Sequence, residues 1–160
     1  MKRIITLITL AIVLFSCGKT VPDKTYHDYW WKSRDYVAGS YKVYFHFSNN
    51  NQLEFECSKY THATIFFPSS NTSRTYTDNG NTIDLHDFTV TGGRSFGAPK
   101  DDIIVFHTAT WKNGKPKDTF ETIGSDLIVD YTYTTYTLTG GVYKVEDKTC
   151  TLSVISGEPE

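Results

Sequence analysis

Past its sixteenth residue the 160-residue chain is poor in helix formers: five leucines, four alanines and no methionine follow Ser16. Tyr, Phe, Thr, Val and Ile take their place, and these are the residues of strands, so a helix-rich fold is excluded. An apolar run able to span a bilayer is missing too. The longest, Ile4 to Phe15, has twelve mostly apolar residues, whereas a core of ~30 Å needs roughly 20 in a helix. No basic block exists either. Without Lys2 and Arg3, 14 Lys and Arg face 18 Asp and Glu, a net charge of −4, which argues against nucleic acid as a partner.

Signatures of chemistry are equally scarce. There is no His-Glu-x-x-His, phosphate loop or Cys-x-x-Cys, the patterns that place zinc, nucleotides or a redox pair. His27, His46, His62, His86 and His107 never stand at i,i+2 or i,i+4, so a metal site would have to be assembled across strands. Asp101 and Asp102 adjoin, but neighbours in a strand point to opposite faces. Glu54 and Glu56 share a face, where two carboxylates either flank a sugar bond or solvate the wall beside Lys42. No enzyme, metal or cofactor is expected.

What is present begins at the N-terminus. Lys2 and Arg3 precede the apolar run, and Leu14-Phe15-Ser16-Cys17 closes it. A basic start, a short apolar core and a small residue at the end make a secretory signal peptide, to be left out of the fold. Leu14 to Cys17 resembles the lipobox of bacterial lipoproteins: an aliphatic residue, a small one before the cysteine, then the cysteine. The resemblance implies cleavage after residue 16 and acylation of Cys17, with residues 17–25 as a tether and 26–160 as one β-domain. Each buried CH₂ adds ~0.8 kcal/mol, and two or more chains anchor stably. Gly18 stands where an inner-membrane retention signal has Asp, so the expected location in a Gram-negative cell is the outer membrane, and the mixed stretch Lys19 to Lys24, without the acidic run of surface-exported lipoproteins, implies a periplasm-facing attachment.

With Cys17 acylated, Cys57 and Cys150 remain as an even pair in an oxidising compartment. A bridge between them closes roughly 90 residues and stabilises by about 4 kcal/mol in the chain-entropy view. Two buried free thiols are the alternative, because both positions fall on apolar strand faces.

Alternation of period two marks the strands. Tyr41, Val43, Phe45 and Phe47 oppose Lys42, Tyr44 and His46, and Leu53, Phe55 and Cys57 oppose Glu54 and Glu56. With a turn at Asn49-Asn50-Asn51, Phe47 meets Leu53, Phe45 meets Phe55, and His46 meets Glu54. Asp78-Asn79-Gly80-Asn81 predicts a type I′ hairpin, and a bulge is expected at His86-Asp87. Ile103–Trp111 and Lys117–Ile123 flank Asn113-Gly114-Lys115 as a further hairpin. Leu127–Thr139 and Val142–Glu146 flank Gly140-Gly141, with a turn at Asp147-Lys148. Gly92 to Pro99 reads as a long loop, and Tyr26 to Trp31 as a short helix or irregular lead-in closing one end.

Nine or ten short antiparallel strands close as an up-and-down barrel or stack as a β-sandwich. Gly39-Ser40-Tyr41, with tyrosine where lipocalins carry Gly-x-Trp, the run of hairpins, and Gly80-Asn81-Thr82-Ile83 resemble the calycins, in particular lipocalin-like domains of bacterial lipoproteins. That resemblance implies an all-β antiparallel barrel of about 8–10 strands and a non-catalytic role, binding a small hydrophobic ligand. An interaction module with a solid core, docking an envelope protein or a glycan, is the alternative. Trp30, Trp31, Tyr131, Tyr133 and Tyr136 are the candidate surface, since Trp and Tyr join apolar area to a polar tip.

Overall fold

The computed structural model describes residues 25–39, 41–59, 65–66, 74–94, 102–137 and 139–159. Cys17 and the segment before it lie outside the described residues. Ten strands form one antiparallel sheet: β1 Trp30–Ser33, β2 Tyr41–Phe47, β3 Gln52–Lys59, β4 Ile65–Phe66, β5 Arg74–Thr75, β6 Thr77–Asp78, β7 Thr82–Arg94, β8 Asp102–Trp111, β9 Asp126–Tyr136 and β10 Val142–Ile155. One short helix, α1 Thr119–Gly124, and a 3-10 turn, Tyr26–Asp28, complete the described elements. No helix among the described residues is long and apolar enough to cross a membrane.

The sheet curls into a barrel, which sets aside the sandwich alternative. Sequential strands pair, and β10 pairs back with β1 from Trp30↔Ile155 to Ser33↔Leu152. On the other side β5 pairs with β3 while β6 pairs with β7. The broken segment Arg74–Asp78 therefore bridges β3 to β7, with Tyr76 buried at its kink. Counting it as one stave, the wall has eight staves. A barrel of about eight strands is just wide enough for its side chains to fill.

Alternation drives this closure. The β2–β3 register is the one the side chains demand: Val43↔Cys57, Phe45↔Phe55 and Phe47↔Leu53 inside, Tyr44↔Glu56 and His46↔Glu54 outside. Inward residues of β7 are Ile83 and Leu85, then Phe88 and Val90. The change of parity occurs at His86 and Asp87, both at positive φ (53° and 51°), where the pairing with β8 shifts. β8 makes the matching adjustment between Phe106 and Thr108. Two adjacent bulges bend the wall at one level and keep both halves of each strand facing the core.

Four segments depart from expectation. Lys117–Ile123 is not a strand: the Asp118 side chain accepts the Glu121 amide at 2.8 Å, and Glu121 accepts the Lys117 amide at 2.7 Å, which caps α1 instead. β10 runs unbroken through Asp147-Lys148, because β9 pairs with it continuously from Lys144 to Ser153. Gly92, Gly93 and Arg94 extend β7 rather than starting a loop. In the Asn79-Gly80 turn only Gly80 takes a positive φ, 84°, so the second positive φ that type I′ needs is missing.

One end is closed by a lid. Thr25 and Asp28 cap the 3-10 turn reciprocally, and Trp31 Nε1 donates to the Tyr26 carbonyl at 3.2 Å. The Tyr26 ring meets Trp111 edge-on with centroids 5.2 Å apart, and Trp31 meets Trp111 at 5.3 Å. Beneath them Phe45, Phe55, Phe88 and Phe106 interlock at 4.8–5.7 Å. Each such pair adds about 0.5–1.5 kcal/mol beyond its burial.

Candidate functional site

Among the residues singled out from sequence, adjacent tryptophans part company. Trp31 is fully buried, and Tyr131 lies on the inward row of β9 with Leu127 and Val129. Neither is a surface residue. The reason is parity: in β1, Trp31 opposes Phe45 of β2, so it faces the core, and Trp30 opposes His46 outside. Tyr133 is half-buried at the end away from the lid, donating to Asp102 Oδ2 at 2.9 Å; the Tyr136 amide donates to Oδ1 at 3.3 Å. Asp102 is itself fully buried, so both bonds serve the fold.

Cys57 and Cys150 are separate thiols rather than a disulfide. They sit on β3 and β10, with β1 and β2 between, about 14 Å apart along the wall at ~4.8 Å per strand. A disulfide needs Cα atoms about 4–7 Å apart. Burial pushes each thiol up to about 12, which keeps both in the unreactive protonated form.

Trp30 does reach a site. One outward row crosses four strands: Ile155 of β10, Trp30 of β1, His46 of β2 and Glu54 of β3. The Trp30 and His46 rings stack at 5.2 Å with 26° between planes. His46 Nδ1 lies 3.4 Å from Glu54 Oε2, and this buried nitrogen makes no hydrogen bond. A cleft of about 520 Å³ opens over the row, flanked by Asp28 and Tyr29 from the lid and by Ser156 to Glu158 from the C-terminal end. A second cleft of about 520 Å³ continues along the wall past Lys32 and Tyr44, whose ring lies 5.2 Å from the Lys32 ammonium. Aromatic faces beside carboxylates suit a ligand with one apolar face and hydroxyl or amide donors at its edge.

A polar chain crosses the opposite wall: Asp87, His107, Thr132 and Asp147 connect at 2.7–2.8 Å. It ties β7 to β10 through two strands. Among the described residues no cluster of His, Cys, Asp and Glu is arranged to hold a metal. Gly93-Arg94-Ser95-Phe96-Gly97 has the Gly-x-Ser-x-Gly form of a nucleophile elbow. Gly93 and Arg94 end an antiparallel strand paired with β4, whereas the elbow joins a strand of an α/β-hydrolase sheet to a helix. Ser95 lies outside the described residues.

Fold and site together define an antiparallel up-and-down β-barrel whose lid half is packed with inward side chains among the described residues, with a cleft on its outer wall. No family model, curated protein or solved structure matches the chain.

Proposed function

We propose that the protein is a non-catalytic module of the bacterial envelope, held at the outer membrane by acylated Cys17 and facing the periplasm. Its lipocalin-like barrel binds an envelope glycan on the outer wall. The lipobox-like Leu14 to Cys17 supports the anchor, and the eight-stave meander with paired first and last strands supports the lipocalin likeness. The observation that carries the binding reading is the contrast in occupancy. Trp31, Phe45, Phe47, Leu53 and Phe106 fill the interior with no exposure, while the cleft at Trp30 is open. A pyranose lays its C–H face on Trp30 and donates its hydroxyls to Glu54 and Asp28.

Isothermal titration calorimetry with soluble envelope oligosaccharides tests this reading. Trp30→Ala should weaken binding at least about tenfold, equivalent to ~1.4 kcal/mol. Unchanged affinity in that variant refutes the site. For the anchor, Cys17→Ser should move the protein from the membrane to the soluble fraction; retention refutes acylation.

A small hydrophobic ligand is the second reading. What favours it is the end away from the lid, where inward-facing Cys57 and Tyr133 are only half-buried. Saturable uptake of an apolar fluorophore, blocked by Tyr133→Trp, would support it, and its absence would remove it.

A further inference from the structure

At the lid end, α1 carries Phe120 and Ile123 with 87% and 58% of their surface exposed. They are three residues apart and so share one helix face. Neither is among the buried core residues, and two large apolar side chains adjoining on one exposed face form a contiguous patch rather than a scattered single residue. Their position in the fold is the informative part. The loop leading to α1 packs on the lid: Lys115 Nζ is 2.6 Å from Asp78 Oδ2 and 5.2 Å from the centre of the Tyr26 ring. Tyr26 is also where the chain enters the barrel from the N-terminal segment. The described chain starts at Thr25, eight residues after Cys17, a span of at most about 29 Å when fully extended.

We propose that the face formed by Phe120 and Ile123 rests in the headgroup layer of the membrane that holds Cys17, with the lid end of the barrel turned toward the bilayer. This rests on the anchor reading for its source of lipid. The contact is apolar in origin. Lys112, Lys115 and Lys117 are matched in the same stretch by Asp118, Glu121 and Asp126, so the face has no net charge to draw it to anionic lipid. An aromatic ring and an aliphatic side chain entering the interface gain through burial of apolar area. Val142, Tyr143 and Val145 are also exposed, but they lie beyond the β9–β10 turn at the other end, and this orientation points them into the periplasm.

The test uses the chain from Cys17 onward, which contains every described residue. Its Cys17 thiol is coupled to a maleimide lipid in phosphatidylcholine vesicles; half-buried Cys57 is replaced by serine throughout, and burial of Cys150 leaves the coupling selective. Phe120→Trp and Tyr143→Trp then report from the two ends against brominated lipid. Over the emission of Trp30, Trp31 and Trp111, the signal added by F120W should lie at shorter wavelength and be quenched by the bromines, while that added by exposed Y143W should lie at longer wavelength and escape quenching. Equal behaviour of the two variants overturns the proposal, as does quenching of F120W that requires phosphatidylglycerol and vanishes in high salt. Because the lipid is supplied chemically, failure of cellular acylation shows only in the Cys17→Ser fractionation and leaves this measurement intact.

Discussion

At the lid end, Tyr26, Trp31, Phe47, Tyr76 and Trp111 meet ring against ring, and polar atoms are placed around their rim. At the far end the inward positions pass to Tyr41, Cys57, Tyr133 and Asp102, and closure depends on a buried carboxylate with its donors. The first arrangement gains from every methylene and ring it hides. The second gains little net from each hydrogen bond but loses heavily if one partner is removed. One barrel thus has an end held by apolar packing and an end whose integrity hangs on polar satisfaction.

Removing an aromatic at the lid should have the largest effect. Trp31→Ala is expected to cost about 3–5 kcal/mol, read as a fall in the urea midpoint with unchanged slope. Trp30→Ala, one residue away on the outer wall, should leave that midpoint nearly in place. At the far end, Asp102→Ala strands the Tyr133 hydroxyl and the Tyr136 amide and should cost about 1–3 kcal/mol. Asp102→Asn keeps an acceptor and should recover part of that loss. If Asp102→Ala unfolds as late as the parent, the contrast between the ends fails.

Acid should act on the lid end, with a smaller effect. Burial lowers the His27 imidazole below its ordinary value. Its Nδ1 is 3.0 Å from the Phe47 carbonyl, which can only accept, so Nδ1 carries the proton of the neutral ring. A histidine held low stabilises fully above its ordinary value, near 6.5, and loses that contribution as pH falls toward its folded value. Asp78 adds a second, more acidic step. Burial raises its carboxyl, but hydrogen bonds from Lys115, Tyr26 and the Gly80 amide outweigh that and hold it below the ordinary 3.8. Its contribution is present above that value and disappears as pH drops through the lowered one. His27→Gln should flatten the decline in stability between neutral pH and pH ~5, and Asp78→Asn the part below ~4. A decline unchanged by either substitution would assign acid sensitivity to other groups.

How far the sequence foretold this depends on how local each determinant is. The β2–β3 hairpin was readable because both faces of two neighbouring strands demanded one register. The bulge at His86-Asp87 was readable as a break in alternation. Lys117–Ile123 misled because Asn113-Gly114-Lys115 looks like a hairpin turn, whereas Asp118 and Glu121 decide the backbone by capping. Trp30 and Trp31 are chemically identical, and only the pairing of β1 with Phe45 and His46 tells which turns inward. The cleft was the least legible feature. Residues 30, 46, 54 and 155 become one row only after four strands align, and no local spacing announces it.

The seam between β1 and β10 has a consequence for the order of synthesis. Strand β1 is among the first described residues to be made and β10 among the last, and they pair over Trp30–Ser33 and Leu152–Ile155. Closing so long a loop costs entropy that is repaid only when the final strand arrives. Until Leu152 to Ile155 have emerged, β1 lacks one of its two neighbours. The barrel therefore shuts only when the last strand is in place.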